Sequence, residues 1–230
     1  MIKQLLIASG LALTAMSASA AGIEGLYNTG EGFAAGQVDT HYSFASISGT
    51  ATGTDGYGVV TSGIGHPFPN WQANSEASSW LAPTANAGQS YDGVSNGVYK
   101  WTLTFDLTGF DTESAFFSGK WWADDTGYIQ LNGVTISSGA GYRSATSFAA
   151  SAGFVAGINT LDFYVTNLAR STGNPTGIRV EFGESFAEEL IVEQPPVIPT
   201  PSVPVPEPET YAMLLAGLAV MGAIARRRIG

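Results

Sequence analysis

The sequence contains no cysteine, only two histidines and few charged residues. Without cysteine, the chain can form no disulfide framework, thiolate zinc site or iron–sulfur cluster, and it has no cysteine nucleophile. Two histidines leave little room for a histidine-rich metal centre. Charged residues make up 12% of the 230 residues, about half the usual share. With nine basic and nineteen acidic residues, the chain also lacks the basic stripe of a nucleic-acid-binding protein, so we expect no nucleic-acid partner.

Residues 1–20 show, in the right order, the features of a secretory signal peptide. Lys3 supplies a positive charge, Leu5–Met16 is mostly apolar, and Ala18 and Ala20 place small side chains at the cleavage site. We therefore predict an N-terminal signal helix that is removed during export by the secretion machinery. A buried N-terminal helix is the alternative interpretation.

The segment from 21 to 186 alternates apolar and polar residues with the period of β-strands. The clearest example is Val98–Leu107, in which every second residue from Tyr99 onward is apolar, so that one face lies in a core. The dipeptide Asn132-Gly133 is the strongest hairpin signal, because both residues tolerate positive φ. The other predicted strands are His41–Ile47, Tyr57–Thr61, Phe116–Ala123, Tyr128–Leu131, Val134–Ile136, Thr160–Asn167 and Ile178–Phe182.

Many short strands, 29 glycines and no sustained helical stripe predict an all-β domain. Two packed sheets, in a β-sandwich of the jelly-roll type, are the favoured architecture. Roughly 165 residues can bury a sizeable core, so the fold needs neither a metal nor a disulfide.

The C-terminal part divides into a linker and an apolar segment. Residues 187–205 are the predicted linker, and Pro195–Pro208 contains seven of the eleven prolines, which favours an extended polyproline-like conformation. The uncharged stretch Ala212–Ala225 predicts a helix of about 21 Å, shorter than the roughly 30 Å of a bilayer core. We predict a short transmembrane helix, with the arginines that follow it on the cytoplasmic side.

Residues 206–230 resemble the PEP-CTERM sorting signal, which combines a Pro-Glu-Pro tripeptide, an apolar helix and terminal arginines. Outside the helix, the resemblance is carried by Pro206, Glu207, Pro208, Arg226, Arg227 and Arg228. It implies recognition by an exosortase, cleavage near the tripeptide, transient anchoring in the inner membrane and delivery to the cell envelope or extracellular matrix. Members of this family commonly accompany exopolysaccharide production. A generic tail anchor is the alternative interpretation.

Three segments of the middle region resemble galactose-binding-like jelly rolls. They are Ser118–Trp121, Asp124–Gly133 and Gly153–Leu161. The resemblance covers about residues 98–183 and implies a galactose-binding-like β-sandwich. It leaves the function open, because one fold hosts sugar-binding, accessory and structural domains.

The sequence contains no motif that predicts an enzyme. Gly93–Gly97 has the letters of a Gly-x-Ser-x-Gly nucleophile elbow, but a strand follows it where a helix is required, so we predict a glycine-rich loop. His41 and His66 lack the spacing of a metal site or a triad and are expected at the surface or in turns. Glycosidase acids can lie far apart in sequence, and no pair stands out among Asp106, Asp111, Glu113, Asp124 and Asp125.

Tryptophans are the first candidates for ligand binding. Trp71, Trp80 and Trp122 lie among Gly, Asn and Asp residues, and flat aromatic rings can stack on the apolar faces of sugars. Since neighbouring residues of a strand point to opposite faces, we expect Trp121 in the core and Trp122 on the other face beside Lys120. Burial of both rings is the favoured interpretation, and an exposed Trp122 that stacks on a sugar is the binding hypothesis.

Asp124 and Asp125 are the second candidates, as ligands of Ca²⁺, which takes six to eight oxygen ligands. Aspartate is also a common turn residue, and the remaining ligands cannot be identified. No other cofactor is predicted.

Without the signal peptide and the sorting tail, the chain keeps five basic and seventeen acidic residues, a net charge of −12. Such a charge favours solubility and repels anionic surfaces. The predicted function is that of an exported, non-enzymatic envelope or matrix protein that binds polysaccharide. An extracellular carbohydrate-active enzyme and a purely structural matrix protein are the alternatives.

Overall fold

The computed structural model describes residues 20–191 and 208–229, and the chain divides into two compact units, Met1–Ile191 and Val192–Gly230. The first unit is built of antiparallel strands. They are β1 (Ala20–Ala21), β2 (Val38–Ser48), β3 (Tyr57–Val60), β4 (Leu81–Ala82), β5 (Gly97–Asp106), β6 (Phe110–Asp124), β7 (Thr126–Leu131), β8 (Val134–Ser138), β9 (Thr146–Ala150), β10 (Ile158–Asn167) and β11 (Gly177–Glu189). The predicted all-β class is therefore confirmed.

The hydrogen-bonded strands follow the order β8-β7-β10-β5-β2-β3-β4-β11-β6-β9, and β1 pairs with β11. The two halves of this order lie face to face. The ring of Trp121 in β6 lies 6.0 Å from that of Phe163 in β10, and Phe117 in β6 lies 6.0 Å from Phe105 in β5. Strands β8-β7-β10-β5-β2 thus form one layer and β11-β6-β9 the other, with β3 and β4 connecting them, which makes a β-sandwich.

The main core lies between these two layers and follows the alternation predicted for β5. Tyr99, Trp101 and Leu103 are buried, whereas the residues between them point outward. The neighbouring strand β10 pairs Leu161 with Leu103, so buried residues of both strands share one face. Each large apolar side chain buried in this way contributes about 1.5–3 kcal/mol relative to an exposed position.

The hairpin predicted between β7 and β8 is also confirmed. Asn132 and Gly133 have φ angles of 49° and 84°, and Leu131 pairs with Val134 across the turn. The Asn132 amide nitrogen donates a hydrogen bond of 2.8 Å to Oδ1 of Asn159. This contact fixes the turn against the start of β10.

Strands β1, β4 and β9 were not predicted from the sequence, and six predicted strands are longer in the structure, β6 and β11 by the most. β6 begins at Phe110, and β11 continues to Glu189, beyond the expected boundary at residue 186. The pairing of β11 with β6 shifts register between Phe182 and Ser185. Such a bulge interrupts the period of two, so the pattern that predicts a strand ends before the strand does.

The described part of the second unit is the helix α1 (Pro208–Ile229), which contains the predicted Ala212–Ala225. In the ranges 20–191 and 208–229, no helix combines the length and the apolar character needed to cross a membrane. The signal segment with Ala18, and Pro206 and Glu207 of the sorting tripeptide, lie outside the described residues, as does most of the predicted linker.

Candidate functional site

A polar cleft of about 430 Å³ lies at the end of the sandwich where β6 and β10 finish and β11 begins. It is lined by the β3–β4, β8–β9 and β10–β11 connections and by the junction of β6 with β7. Among its polar side chains are His66, Asn70, Asp124, Asp125, Tyr142 and Arg143. The structure thus brings the two predicted acidic residues together with side chains that are distant in sequence.

Asp124, the last residue of β6, forms the buried base of the polar cleft and is only 4% exposed. Its Oδ2 accepts a hydrogen bond of 2.8 Å from Nε1 of Trp71. Burial, and next the charge of Asp125, raise the pKa of Asp124 to about 8, against the smaller opposing effect of the Trp71 hydrogen bond. At neutral pH this carboxyl group is therefore mostly uncharged.

Asp125 uses its carboxylate to fix the neighbouring connection. Its Oδ2 accepts hydrogen bonds from the backbone nitrogen of Leu168, at 2.8 Å, and from the amide nitrogen of Asn174, at 2.5 Å. Its Oδ1 lies 3.6 Å from a guanidinium nitrogen of Arg170. The carboxylate of Asp125 is therefore engaged by the β10–β11 connection.

A buried polar network behind the polar cleft supports this connection. The Asp92 carboxylate accepts hydrogen bonds from the Tyr99 hydroxyl, at 2.7 Å, and from the Asn167 amide, at 2.8 Å. Asn174 in turn donates to Oδ1 of Asn167. Burial, followed by the hydrogen bond to Asp92, raises the pKa of Tyr99 to about 12, so its hydroxyl stays a donor. Sequence analysis missed these residues, because isolated Asn and Asp residues are common in loops.

Six residues that line the polar cleft are exposed, namely His66, Asn70, Ser90, Arg143, Arg170 and Thr172. Tyr142 is half-buried beside them. His66 lies in the β3–β4 connection, in agreement with its predicted surface position. Sequence analysis did not identify Arg143 and Arg170 as site residues. Basic residues are so few in this chain that each of them could have been considered a candidate.

The prediction that Trp122 is an exposed stacking surface is wrong. Trp71, Trp80 and Trp122 are 1%, 0% and 5% exposed, and they pack together in a second buried cluster outside the main core. Trp71 and Trp80 stack with ring centroids 4.2 Å apart. Trp122 does point away from the core residue Trp121, and Lys120 lies 5.6 Å from its ring, but the β3–β4 connection covers that face of the sheet. A period of two distinguishes the faces of a strand without showing which one a loop covers.

Arg179 in β11 holds this covering connection in place. Its guanidinium group donates to the carbonyl of Ala73 and to the hydroxyls of Ser75 and Ser78, at 2.7 and 2.6 Å. It also pairs with Glu181. Burial opposes ionisation of Glu181, but hydrogen bonds from Lys120, Ser78 and Ser75 outweigh it and lower the pKa of Glu181 to about 2.

The predicted Ca²⁺ ligands Asp124 and Asp125 lie together in the polar cleft without further acidic partners. Across residues 20–191 and 208–229, no three His, Cys, Asp or Glu side chains form a group that could hold a metal ion. Both carboxyl groups already accept hydrogen bonds from protein donors. Binding of Ca²⁺ remains a prediction.

The remaining catalytic candidates lie elsewhere. Asp106 ends β5 and Asp111 lies near the start of β6, both at the end of the sandwich opposite the polar cleft. Glu113 is exposed in β6. The Gly93–Gly97 segment has no helix after it and leads directly into β5, so the predicted loop is confirmed. Only Asp124 and Asp125 of the five acidic candidates line the cleft.

The tail matches a known family model. Residues 204–228 match the model described as the PEP-CTERM protein-sorting motif. The match includes the predicted sorting residues from Pro206 to Arg228, of which Arg226 and Arg227 are exposed in α1. It confirms the predicted sorting signal and indicates an exported protein that an exosortase processes at the membrane.

Among solved structures, the chain is similar to the CBM36-1 domain of a multidomain xylanase from the hindgut metagenome of Trinervitermes trinervoides. The two share 12% identity over 66% of this chain and 99% of that one, with a TM-score of 0.28. No curated protein matches the chain significantly. The description of the β-sandwich therefore rests on the strand pairing and packing of this chain itself.

Proposed function

We propose that this protein is an exported, non-enzymatic polysaccharide-binding protein and that the polar cleft is its binding site. The observation that carries the proposal is the set of accessible polar groups around a cavity of about 430 Å³. Cavities of several hundred Å³ are typical of small-ligand sites. The amide of Asn70, the hydroxyl of Tyr142 and the imidazole of His66 are of the types that hydrogen-bond sugar hydroxyls.

The state of the two aspartates supports binding without catalysis. Asp125 would serve as a nucleophile or base only with a free carboxylate, but its oxygens face Leu168, Asn174 and Arg170. Asp124 is buried and hydrogen-bonded to Trp71. Both acidic groups therefore have a structural role in the lining of the polar cleft.

The sorting motif supports a location outside the cytoplasm. In our proposal the secretion machinery removes the N-terminal signal, and the tail retains the protein transiently in the inner membrane. An exosortase then cleaves near Pro206, Glu207 and Pro208 and releases the domain to the cell envelope or extracellular matrix. Exopolysaccharide at that location is the partner that fits the polar cleft.

Affinity electrophoresis of the full chain tests this function. The polymers are xylan, β-glucan, galactomannan and polygalacturonate, each in a separate gel. We expect at least one of them to retard the protein. Asn70→Ala and Tyr142→Phe each remove a polar group from the cleft and should weaken retention about fivefold, the effect of one lost hydrogen bond. Thr135→Ala, exposed on the β7–β8 hairpin, is the control. The proposal fails if no polymer retards the protein, or if the cleft variants bind as well as the control.

A carbohydrate-active enzyme is the second candidate, favoured by one observation. Asp124 has a pKa of about 8 beside Asp125, and a general acid needs such a raised pKa. If the protein is such an enzyme, it should cleave the same polymers and release reducing ends. Asp124→Asn should then abolish cleavage. Binding without any release of reducing ends contradicts it.

A further inference from the structure

Basic side chains are distributed very unevenly over the exported domain. Only five occur between the signal peptide and the sorting motif. Four of them lie within ion-pair distance of a carboxylate, and three of these pairs lie outside the polar cleft: Lys100 with Asp162 at 3.3 Å, Lys120 with Glu181 at 2.7 Å, and Arg179 with Glu181. The other two, Arg143 and Arg170, both line the polar cleft.

The polar cleft therefore holds two of the five basic side chains of a strongly acidic domain. Arg143 is exposed, and no carboxylate among the described residues lies within ion-pair distance of it. Arg170 has its side chain 56% exposed and faces Asp125 at 3.6 Å, which leaves guanidinium N–H groups available. Because burial keeps Asp124 mostly protonated at neutral pH, two guanidinium groups face a single carboxylate.

We propose that the polar cleft selects acidic polysaccharides, and that Arg143 and Arg170 bind the carboxylate of a hexuronate unit. This inference rests on the proposed function and names its ligand class. A guanidinium group offers two parallel N–H donors that match the two oxygens of a carboxylate. Asn70 in the β3–β4 connection, and Tyr142, whose ring centroid lies 5.5 Å from the guanidinium carbon of Arg143, then bind the hydroxyls of the same or the next sugar.

The net negative charge of the exported domain strengthens this selectivity. A domain with a net charge of −12 repels polyanions in general. A polyanion is therefore retained only where the local arginines contact it directly. Retention should weaken with added NaCl, because salt screens the contact between exposed charges.

The test compares polygalacturonate with its fully methyl-esterified, neutral form in affinity electrophoresis of the full chain. We expect the acid form to bind about tenfold more tightly, since a charge-assisted hydrogen bond is the stronger kind. Arg143→Gln should remove most of this difference. Lys100→Gln removes one positive charge outside the polar cleft and should leave binding unchanged. Poly-glutamate, which carries carboxylates without sugars, should bind weakly.

The outcomes separate this inference from the proposed function. If the ester binds as tightly as the acid, or if Arg143→Gln has no effect, the preference for acidic sugars is wrong. If Asn70→Ala still weakens binding of neutral polymers in that case, the proposed function stands. Equal binding of poly-glutamate overturns the assignment to a sugar. Failure of every polymer to bind overturns both proposals.

Discussion

The guanidinium carbon of Arg179 lies 4.5 Å from the ring centroid of Trp122, and both side chains are at most 5% exposed. A guanidinium group in this position combines a cation–π contact with hydrogen bonds to the β3–β4 connection. The indole thus lies between the sheet and a loop that is fixed to the same arginine. A ring in this position stabilises the fold and is inaccessible to a ligand.

Replacing Trp122 with alanine should therefore destabilise the protein. We expect a loss of about 3–5 kcal/mol in the free energy of unfolding, the usual cost of truncating a buried tryptophan, and a similar loss for Trp121→Ala. Urea denaturation followed by circular dichroism measures both. Val134→Ala, at a position that is 62% exposed, is the control. If Trp122→Ala is as mild as the control, the ring is not packed as described.

Asp124 should make the protein less stable as the pH rises. Burial, then the charge of Asp125, raise its pKa from 3.8 to about 8, so the folded chain binds this proton more tightly than the unfolded chain. The free energy of unfolding should then decrease between about pH 4 and pH 8 and level off above that range. Asp124→Asn, which still accepts a hydrogen bond from Trp71, should remove much of this decrease.

Thermal denaturation of the wild type and Asp124→Asn across this pH range measures the effect. At pH 8 the variant should be the more stable protein, by an amount on the order of a few kcal/mol. Burial also raises the pKa of Asp39, so a smaller decrease should remain in the variant. Parallel pH profiles of the two proteins would contradict a protonated Asp124.

The fragment Ala21–Glu193 should fold without the rest of the chain. The buried residues of its main core all lie between Ile23 and Ala187, and the sheet includes the last strand, β11, which ends at Glu189. We expect a circular dichroism spectrum of β-sheet with little helix, without added metal or detergent. A helical spectrum, or aggregation that ends when the tail is restored, would show that the domain boundary is wrong.

The Pro-Glu-Pro tripeptide should be needed for processing but not for export. Replacing Pro206, Glu207 and Pro208 with alanine leaves the signal peptide and the rest of α1, from Glu209 onward, unchanged. The variant should accumulate unprocessed in the membrane fraction, with a larger mass than the processed wild type on an immunoblot. Normal processing of this variant would overturn the assignment to an exosortase.

The alternation in β5 and the Asn132-Gly133 turn could be predicted because each depends on neighbours in sequence. The position of Trp122 could not. Its burial depends on Arg179 and on the loop that contains Ser75, both of which are distant in sequence. Local patterns carry no information about which loop folds over which face of a sheet.

The polar cleft was predicted only in part for the same reason. The sequence predicts Asp124 and Asp125 as a pair of Ca²⁺ ligands, but it does not show the hydrogen-bond donors that the fold brings to them, such as Trp71 and Leu168. Arg143 and Arg170 are 27 positions apart and reach the cleft from different connections. Only the antiparallel pairing of the strands places these connections at the same end of the sandwich.

Strand β11 begins at Gly177, beside Asp124 at the polar cleft, and ends twelve residues later at Glu189. At about 3.3 Å per residue, its two ends are separated by roughly 40 Å. The chain therefore leaves the domain at the end remote from the cleft. A sensor chip that captures the fragment Ala21–Glu193 through its C-terminal end would leave the opening of the cleft unobstructed, whereas coupling through the loops around Arg143 would block it. The direction of one strand thus decides how the protein should be immobilised for binding measurements.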